Sequence, residues 1–544
     1  MRICVSQLNP TIGACRENTK KIVSEIERAR EEKADLVIFP EMAICGYPPE
    51  DLVLHAGFID TVRSALDDII KAAQGIAVIV GLPRRANSGI DKPLANSAAV
   101  IDNGVLLGFQ DKALLPTYDV FDERRFFQPA FQETIWTLRG VRVGVTICED
   151  IWPFNGIINQ QCYPYDPLCV FEKNPIDLLV NISASPYSVG KVAVRKEIIQ
   201  TAINRLHCPV VLCNQVGGQD ALIFDGSSCV YSAKGELLHH GQCFATDHFI
   251  VDTETAEATS VVPLEPAAEL FYALVMGLRD YFTKQGFTKA IVGLSGGVDS
   301  SVVASIAACA LGKNNVIGML LPSRFTSSKS TEDALACAGN LGINTIEIPI
   351  EKVFQAHLDT VAPFFNDTDA HCVEENIQAR LRGILLMTYS NKTGALVLNT
   401  SNKSELAVGY STLYGDSCGA IAVIGDLLKR QVYELGFWLL KTAGWIPLRV
   451  LQRPPTAELR PNQKDSDTIP EYSLLDPLVE GYVVDGKSPE LLVAELNCPM
   501  STVQDIIRKI HQNEYKRRQC PIALRVSEKA FSSGRRVPIV HQFF

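Results

Sequence analysis

Short apolar stretches alternate with amphipathic stretches along the first half of the chain. The apolar or alternating stretches have the length of β-strands, and they lie at residues 2–7, 35–39, 76–81, 95–101, 105–110, 141–147, 177–182 and 209–214. Helical periodicity is found between several of them, at about residues 17–32, 58–74 and 190–206. The pattern predicts an α/β domain that is rich in strands.

The pattern changes over residues 252–266, which are polar and bracketed by prolines. A chain of 544 residues is long enough for two large domains, because α/β domains reach about 250 residues. We therefore predict a first domain at residues 1–250, a linker at 251–265 and a second domain at 266–544.

The second half has a regular succession of strands and helices. A helical stretch around residues 270–281 is followed by strands at residues 290–294, 316–320 and 344–348. Helical stretches lie between these strands, one ending at about residue 311 and the other beginning at about residue 329. Successive βαβ units predict a parallel, doubly wound sheet. A later segment, residues 454–470, contains four prolines and predicts a mobile loop over a site.

Composition and charge narrow the class of protein. Hydrophobic residues make up 47% of the chain and charged residues 21%, as expected of a soluble globular protein. The net charge is −10, and the basic residues are not concentrated in one part of the chain. This distribution argues against a nucleic acid partner. No apolar run approaches the roughly 20 residues that span a bilayer, so we expect no membrane partner. The 16 cysteines are scattered and form no Cys-x-x-Cys motif, which favours reduced thiols and a cytoplasmic location.

A glycine loop follows the strand at 290–294 and opens the next helix. It consists of Gly293, Leu294, Ser295, Gly296, Gly297, Val298, Asp299 and Ser300. Two glycines let a polyphosphate approach the backbone, where N–H groups, serine hydroxyls and the helix N-terminus bind it. Asp299 offers an oxygen ligand to Mg²⁺. A glycine-rich turn that only caps a helix is the alternative. The lysine of the Gly-x-x-x-x-Gly-Lys-[ST] loop is missing, which argues against a kinase or GTPase loop.

Ser-Gly-Gly-x-Asp-Ser at a strand-to-helix junction resembles the loop of the N-type ATP pyrophosphatases. That resemblance implies a Rossmann-like sheet of the adenine nucleotide alpha hydrolase type. It also implies a reaction in which ATP adenylates an oxygen atom, pyrophosphate leaves and a nucleophile displaces AMP.

Two later stretches narrow the substrate. Asn376 and Arg380 lie four residues apart in a helical stretch and share a face, although a solvated helix face has the same pattern. Thr400 ends an apolar strand, where α/β enzymes place ligand contacts, and Glu405 follows five residues later.

Together with the glycine loop, these stretches resemble the ammonia-transferring domain of NAD synthetases, over about residues 266–544. These enzymes convert deamido-NAD to NAD. The resemblance implies that residues 293–300, Thr400 and Lys429 bind ATP as co-substrate. It implies Mg²⁺ on Asp299 and Glu405, and deamido-NAD on Asn376, Arg380, Glu405, Asp416 and Lys516. It assigns no role to Lys403, which follows the threonine in an unusual Thr-Ser-Asn-Lys sequence.

The first half offers a source of nitrogen. Glu41, Lys112 and Cys148 each follow directly, or within two residues, the end of a predicted strand. A cysteine can attack an amide carbonyl and release ammonia, a glutamate can transfer the protons, and a lysine can stabilise the oxyanion. Alone, a cysteine at a strand end is usually a core residue, and a lone glutamate or lysine is usually a surface charge.

The order Glu, Lys, Cys at strand ends resembles the nitrilase superfamily, over about residues 1–250. The resemblance implies an αββα sandwich with Glu41, Lys112 and Cys148 as a catalytic triad. In glutamine-dependent NAD synthetases such a domain is a glutaminase, which implies that Tyr118, Ser185 and Lys191 hold L-glutamine. Glu123 is either an auxiliary carboxylate of this site or a surface residue.

The leading hypothesis is therefore a bifunctional enzyme that takes ammonia from glutamine and amidates deamido-NAD at the expense of ATP. One alternative keeps the chemistry but changes the acceptor, as in guanylate or asparagine synthesis. Another is a regulatory or scaffold protein whose sites have decayed. Both related families commonly assemble, so we expect a homodimer or a larger homo-oligomer.

Overall fold

The computed structural model describes residues 1–87, 91–152, 163, 165–364 and 371–543. The chain forms two compact units, Met1–Gln219 with Ile223–Pro263, and Asp220–Leu222 with Leu264–Phe544. In the described part of the chain, no helix is both long enough and apolar enough to cross a membrane.

The strands of the first unit are short and numerous. They are β1 (Arg2–Gln7), β2 (Leu36–Ile38), β3 (Ala77–Arg85), β4 (Leu94–Asp102), β5 (Val105–Asp111), β6 (Ile135–Leu138), β7 (Val141–Ile147), β8 (Leu178–Ser183), β9 (Val210–Asn214), β10 (Val216–Gln219), β11 (Leu222–Asp225), β12 (Cys229–Tyr231), β13 (Leu237–His240) and β14 (Asp247–Asp252). The helices are α1 (Cys15–Glu31), α2 (Ala56–Ala72), α3 (Leu168–Lys173) and α4 (Lys191–Leu206). Each strand and helix predicted for this half is confirmed to within a few residues.

Two six-stranded sheets face each other in this unit, in the orders β14-β1-β2-β3-β4-β5 and β13-β12-β9-β8-β7-β6. Side chains alternate across each strand, so Val180 and Val211 enter the core shared by the two sheets. Leu179 and Leu212 point the other way, into a second core with α3 and α4. On the first sheet, α1 packs on α2 and α2 packs on β3. The layers confirm the αββα sandwich.

The second unit alternates strands with helices and then becomes mainly helical. Its strands are β15 (Ala290–Gly293), β16 (Val316–Leu320), β17 (Asn344–Glu347), β18 (Leu396–Asn399), β19 (Ile421–Ala422) and β20 (Ile522–Ala523). Its helices are α5 (Pro266–Gln285), α6 (Val298–Leu311), α7 (Ser328–Leu341), α8 (Glu351–Val361), α9 (His371–Thr393), α10 (Lys403–Val408), α11 (Lys429–Ala443), α12 (Leu448–Gln452), α13 (Tyr472–Val479), α14 (Pro489–Leu496), α15 (Met500–Gln512) and α16 (Glu514–Arg517).

The six strands of this unit form one parallel sheet in the order β17-β16-β15-β18-β19-β20. Helix α9 packs on the face that presents Ile291, Met319 and Val397. Helices α5, α6 and α11 pack on one another, and α6 packs on β15 and β16. The order reverses between β15 and β18, and such a switch opens a crevice at the carboxyl ends of the strands. The predicted doubly wound sheet is confirmed.

A helical lobe that the hydrophobic pattern did not predict is formed by helices that lie between β18 and β20 in the chain. Leu475 of α13, Leu492 of α14 and Ile506 of α15 share one core with Ala407 and Val408 of α10. This core fixes α10 directly after β18, at the crevice.

Lys403, at the start of α10, has a structural role. Its ammonium donates to Asp426 Oδ1 at 2.8 Å, to Ser527 Oγ at 2.7 Å and to the Lys529 carbonyl at 2.7 Å. Asp426 Oδ2 accepts the N–H groups of Val526 and Ser527. The buried ion pair therefore ties the segment after β20 to α10.

Replacing Lys403 by methionine should destabilise the second unit. The Asp426 carboxylate would stay buried without its cation, a change that typically costs about 3–5 kcal/mol. Urea unfolding, followed by tryptophan fluorescence, measures the loss. Lys441→Met, on the exposed side of α11, serves as control and should change the free energy of unfolding by less than about 0.5 kcal/mol. Equal effects of the two substitutions would contradict the anchoring role.

Candidate active sites

A buried ion pair joins two of the predicted catalytic residues in the first unit. Lys112 Nζ lies 2.8 Å from Glu41 Oε1 and 2.7 Å from Glu123 Oε1, and all three side chains are buried. Burial by itself lowers the pKa of Lys112, but the charges of Glu123 and Glu41 outweigh burial and raise that pKa well above its usual value. Lys112 is therefore a charged ammonium, and Glu123 is not a surface residue.

Glu41 is held in one orientation by three donors. Its Oε1 accepts from Asn96 Nδ2 at 2.6 Å as well as from Lys112, and its Oε2 accepts from the Ala184 N–H at 2.8 Å. A Cβ on Gly81 would overlap the backbone of Pro40 and Met42, so only glycine lets this segment lie against β3. The carboxylate is thus fixed by groups from three strands or their ends.

Cys148 sits on a sharp turn at the end of β7. Its φ of 47° is left-handed, which a residue with a Cβ rarely adopts, and a 3₁₀ turn, Cys148–Ile151, follows. Burial raises the pKa of the thiol, the Glu41 charge raises it further, and Lys112 opposes both. The three predicted catalytic residues therefore act on one another electrostatically.

Two of the predicted glutamine contacts converge on Glu149, the residue after the cysteine. Tyr118 donates its hydroxyl to both carboxylate oxygens at 3.0 Å. Lys191 lies 4.5 Å from the centre of the Trp152 ring. Burial raises the pKa of Glu149, and the charges of Lys112 and Lys191 oppose that effect. A carboxylate, a phenol and an ammonium thus surround one spot beside Cys148.

Ser185, the third predicted glutamine contact, follows β8 and is buried. It comes directly after Ala184, whose N–H binds Glu41, and its own N–H donates to Asn214 Oδ1 at 2.9 Å. Its backbone therefore belongs to the same edge of the sheet.

Sequence analysis missed several residues of this site, namely Asn96, Tyr47 and Glu149. Tyr47 donates to Glu123 Oε1 at 2.9 Å, so it completes the surroundings of the second carboxylate. Only Glu149 had a signal in the sequence, its position next to Cys148.

In the second unit, the glycine loop joins β15 to α6. Gly296 has a φ of 79°, and a Cβ there would overlap the carbonyl oxygen of Ser330. The hydroxyls of Ser295 and Ser300 lie 3.1 Å apart, and the Gly297 N–H donates to Ser295 Oγ at 3.2 Å. The loop therefore folds as a tight turn at the N-terminus of α6.

A cavity of about 310 Å³ lies at the carboxyl ends of the parallel strands, within the roughly 300–1,000 Å³ typical of ligand pockets. Many predicted site residues line it: Gly293, Leu294, Ser295, Gly297, Val298, Asp299, Ser300, Thr400, Glu405, Asp416 and Lys429. Sequence analysis missed other charged residues of the lining, namely Arg382, Arg453, Glu458 and Asp465. The cavity lies where the reversal of strand order places a ligand.

Lys429 connects the two predicted metal ligands. Its Nζ donates to Asp299 Oδ2 at 2.6 Å and to Glu405 Oε1 at 3.0 Å. Burial lowers the pKa of Lys429, but the two carboxylates outweigh burial and raise it. Burial raises the pKa of Glu405, and Lys429 opposes that effect. Among the described residues, no group of three or more His, Cys, Asp or Glu side chains is arranged to hold a metal ion.

The remaining predicted substrate residues surround the segment at residues 409–416. Thr412 donates its hydroxyl to Asn376 Oδ1 at 2.7 Å and its N–H to Asp416 Oδ1 at 2.5 Å. Burial raises the pKa of Asp416 to about 6. Asn376 and Asp416 therefore both bind Thr412.

Arg380 and Lys516 bind carbonyl groups of the same segment. Arg380 Nε donates to the Leu413 carbonyl at 3.2 Å. Lys516 Nζ donates to the carbonyl groups of Gly409 and Ser411, each at 2.9 Å. In the described structure, both cations thus support the segment that carries Asp416.

Residues of the proline-rich segment at 454–470 line the cavity. Glu458 accepts from Ser330 Oγ at 2.7 Å and from the Ser327 N–H at 3.2 Å, at the start of α7. Asp465 accepts from the hydroxyls of Tyr410 and Tyr472, at 3.1 and 3.0 Å. The segment is tied down at two points, while its mobility stays a prediction.

Two families of known proteins match separate parts of the chain. The carbon-nitrogen hydrolase family matches residues 2–261, and the NAD synthase family matches residues 270–520. The glutamine-dependent NAD(+) synthetases of Synechocystis sp. and Thermotoga maritima are 43% and 40% identical to the chain. The first alignment covers 99% of both proteins, and the second covers 100% of this chain and 99% of the relative.

A solved structure is similar over the same length. The glutamine-dependent NAD+ synthetase from Acinetobacter baumannii, in complex with adenosine diphosphate, is 37% identical and has a TM-score of 0.78. The match covers 99% of this chain and 98% of that one. Because relatives at this level of identity span the whole chain, the chain belongs to the family of glutamine-dependent NAD(+) synthetases.

Proposed function

We propose that the first unit hydrolyses L-glutamine and that the second unit uses the ammonia to convert deamido-NAD to NAD+, with ATP yielding AMP and diphosphate. The observation that carries the proposal is the buried Glu41–Lys112 ion pair beside Cys148. An enzyme that used only free ammonia would have no need of a nucleophile, a base and an ammonium in one buried cluster.

The chemistry of the first unit follows from the roles these groups can take. Cys148 attacks the side-chain amide carbon of glutamine while Glu41 takes the thiol proton. Lys112 stabilises the oxyanion, and Glu41 passes the proton to the nitrogen that leaves as ammonia. A water molecule, deprotonated by Glu41, then hydrolyses the thioester, which releases glutamate and restores the thiol.

Glutamine carries an ammonium and a carboxylate at its far end, so its site needs both charges. Tyr118, Ser185 and Lys191 are the proposed contacts, and Lys191 suits the carboxylate as a cation. Glu149, on which Tyr118 and Lys191 converge, suits the ammonium. These contacts would select an amino acid amide over a simple amide.

In the second unit, residues 293–300 and Thr400 bind ATP, and Lys429 offsets the charge on the phosphates as the carboxylate of deamido-NAD is adenylated. Diphosphate leaves, and ammonia then displaces AMP to form the amide. The proposed contacts of deamido-NAD are Asn376, Arg380, Glu405, Asp416 and Lys516. Because several of them hold the segment at 409–416, they would shape the site as well as touch the substrate.

The residues present also fit Mg²⁺. Asp299 and Glu405 both contact the Lys429 ammonium, so their carboxylates lie close together at the glycine loop. Proteins usually hold Mg²⁺ with one or two carboxylates together with substrate phosphates. A magnesium ion there would offset phosphate charge.

We also infer that the protein resides in a reducing compartment and that the chain forms a homo-oligomer. The described cysteines are all free thiols, as expected in the cytoplasm. We expect a homodimer or a larger assembly because proteins of the two related families commonly assemble.

Cys148→Ala should abolish NAD+ synthesis from glutamine and leave synthesis from ammonium salts unchanged, because only the nitrogen supply needs the thiol. A steady-state assay with deamido-NAD, ATP, Mg²⁺ and either nitrogen source measures both rates. Cys213→Ala, at a buried cysteine in the core of the same unit, should retain both activities. A parallel fall of both rates in Cys148→Ala would refute the assignment.

Gly296→Ala should reduce synthesis from either nitrogen source by at least about 100-fold. The added Cβ meets the Ser330 carbonyl, and the residue has a positive φ, so the loop cannot keep its turn. ATP binding by calorimetry should weaken in parallel. Gly339→Ala is the control, because a Cβ there has no neighbour within 4 Å among the described residues. Normal ATP binding in Gly296→Ala would contradict the role of the loop.

Asp299→Asn and Glu405→Gln should each raise the Mg²⁺ concentration needed for half-maximal synthesis, by about tenfold or more, because an amide binds the ion more weakly than a carboxylate. Magnesium titrations with both nitrogen sources provide the measurement. Loss of the glutamine-driven reaction alone would speak against a metal-binding role.

A further inference from the structure

Asp150 lies buried between the two segments that carry Lys112 and Cys148. Its Oδ1 accepts the N–H groups of Ala113 at 3.0 Å and Leu114 at 2.8 Å, and its Oδ2 accepts the N–H of Ile147 at 3.0 Å. The first two donors directly follow Lys112, and the third directly precedes Cys148. One carboxylate therefore joins the backbone on both sides of the reacting pair.

The lysine is also fixed on its other side. Asp111, the residue before it, accepts from Arg84 at 2.6 Å and from Ser97 Oγ at 2.5 Å. The Lys112 N–H itself donates to the Asn96 carbonyl at 2.8 Å, as a continuation of the sheet. The contacts of Asp111 and Lys112 tie the lysine to its own sheet, whereas those of Asp150 tie it to the cysteine.

The cysteine needs such support because of its backbone. A residue with a Cβ in the left-handed region costs about 1–3 kcal/mol and persists only where its surroundings determine it. Asp150 lies in the 3₁₀ turn that follows Cys148 and binds the N–H before it, so it bridges the strained residue.

We propose that Asp150 is a positioning residue of the glutaminase site, whose carboxylate sets the separation between the Lys112 ammonium and the Cys148 sulfur. The role rests on the proposed functions of Lys112 and Cys148. Asp150 is buried and binds backbone N–H groups next to Lys112 and Cys148, so it acts on the reaction through these two residues.

The consequence is electrostatic as well as geometric. Lys112 is the group that opposes the burial and the Glu41 charge that raise the pKa of Cys148. If the lysine segment moves away, the pKa of the thiol rises further and the oxyanion loses its cation. A displacement of about 1 Å can cost about 100-fold in rate.

Asp150→Asn tests the role in the full chain. The amide has one acceptor oxygen, so its NH₂ must oppose an N–H of one segment or the other. We expect the glutamine-driven kcat to fall about 10- to 100-fold, with KM for glutamine changed less than about threefold. Ammonium-driven synthesis should stay at the wild-type rate, which shows that the second unit is intact and that the loss is confined to the supply of nitrogen.

The second readout is the rate of Cys148 alkylation by iodoacetamide at one fixed pH, quantified by mass spectrometry of the Cys148 peptide. In Asp150→Asn this rate should fall about tenfold, because Lys112 no longer favours the thiolate and the thiolate fraction decreases. A merely structural role would lower the melting temperature and leave the alkylation rate unchanged, and that result overturns the proposal.

Asp177→Asn is the matched control. Asp177 Oδ2 accepts the Arg142 N–H at 2.8 Å at the opposite end of β7 from Cys148, so the substitution makes the same chemical change at a carboxylate that does not join the catalytic segments. It should leave the glutamine-driven rate and the alkylation rate unchanged. If Asp150→Asn does not yield soluble protein, the same two measurements on Asp150→Ser decide the question.

The two proposals fail differently. If Cys148→Ala still uses glutamine, the proposed function of the first unit is wrong. If Cys148→Ala loses glutamine use while Asp150→Asn keeps the wild-type turnover and alkylation rates, only the positioning role is wrong.

Discussion

A lysine ammonium buried between two carboxylates is the interaction on which each site depends. Lys112 lies between Glu41 and Glu123 in the first unit, and Lys429 lies between Asp299 and Glu405 in the second. A buried charge is tolerated only when it is paired and hydrogen-bonded. Each lysine therefore holds together two acids that would otherwise repel each other.

Features encoded within a few residues could be predicted from the sequence. The turn at Gly296 needs glycine for its φ and starts a helix directly, so a short motif sufficed. The ends of strands could also be located, so Glu41, Lys112 and Cys148, which lie there, could be identified as candidate catalytic residues. Their contacts could not be predicted, because Tyr47 lies 76 residues from Glu123 and Asn96 lies 55 residues from Glu41 in the chain, and only the tertiary structure brings them together.

The helical lobe escaped prediction for a different reason. Helices α10, α13 and α14 contain six to eight residues, at most about two turns, which is too short for a periodic pattern to stand out. Their stability comes from a shared core, which only tertiary structure reveals. The proline-rich segment at 454–470 was easier to predict, because prolines and polar residues between apolar stretches indicate a loop.

The Lys403 anchor also orders the events of folding during synthesis. Its partner carbonyl at Lys529 lies 126 residues later in the chain, and β20, the edge of the parallel sheet, closes just before it. By contrast, β1 pairs with β14, so the sandwich of the first unit is complete once residue 252 has left the ribosome. The glutaminase unit can therefore assemble while the nucleotide-binding unit is still being translated, with the helix that carries Glu405 among the last parts to be secured.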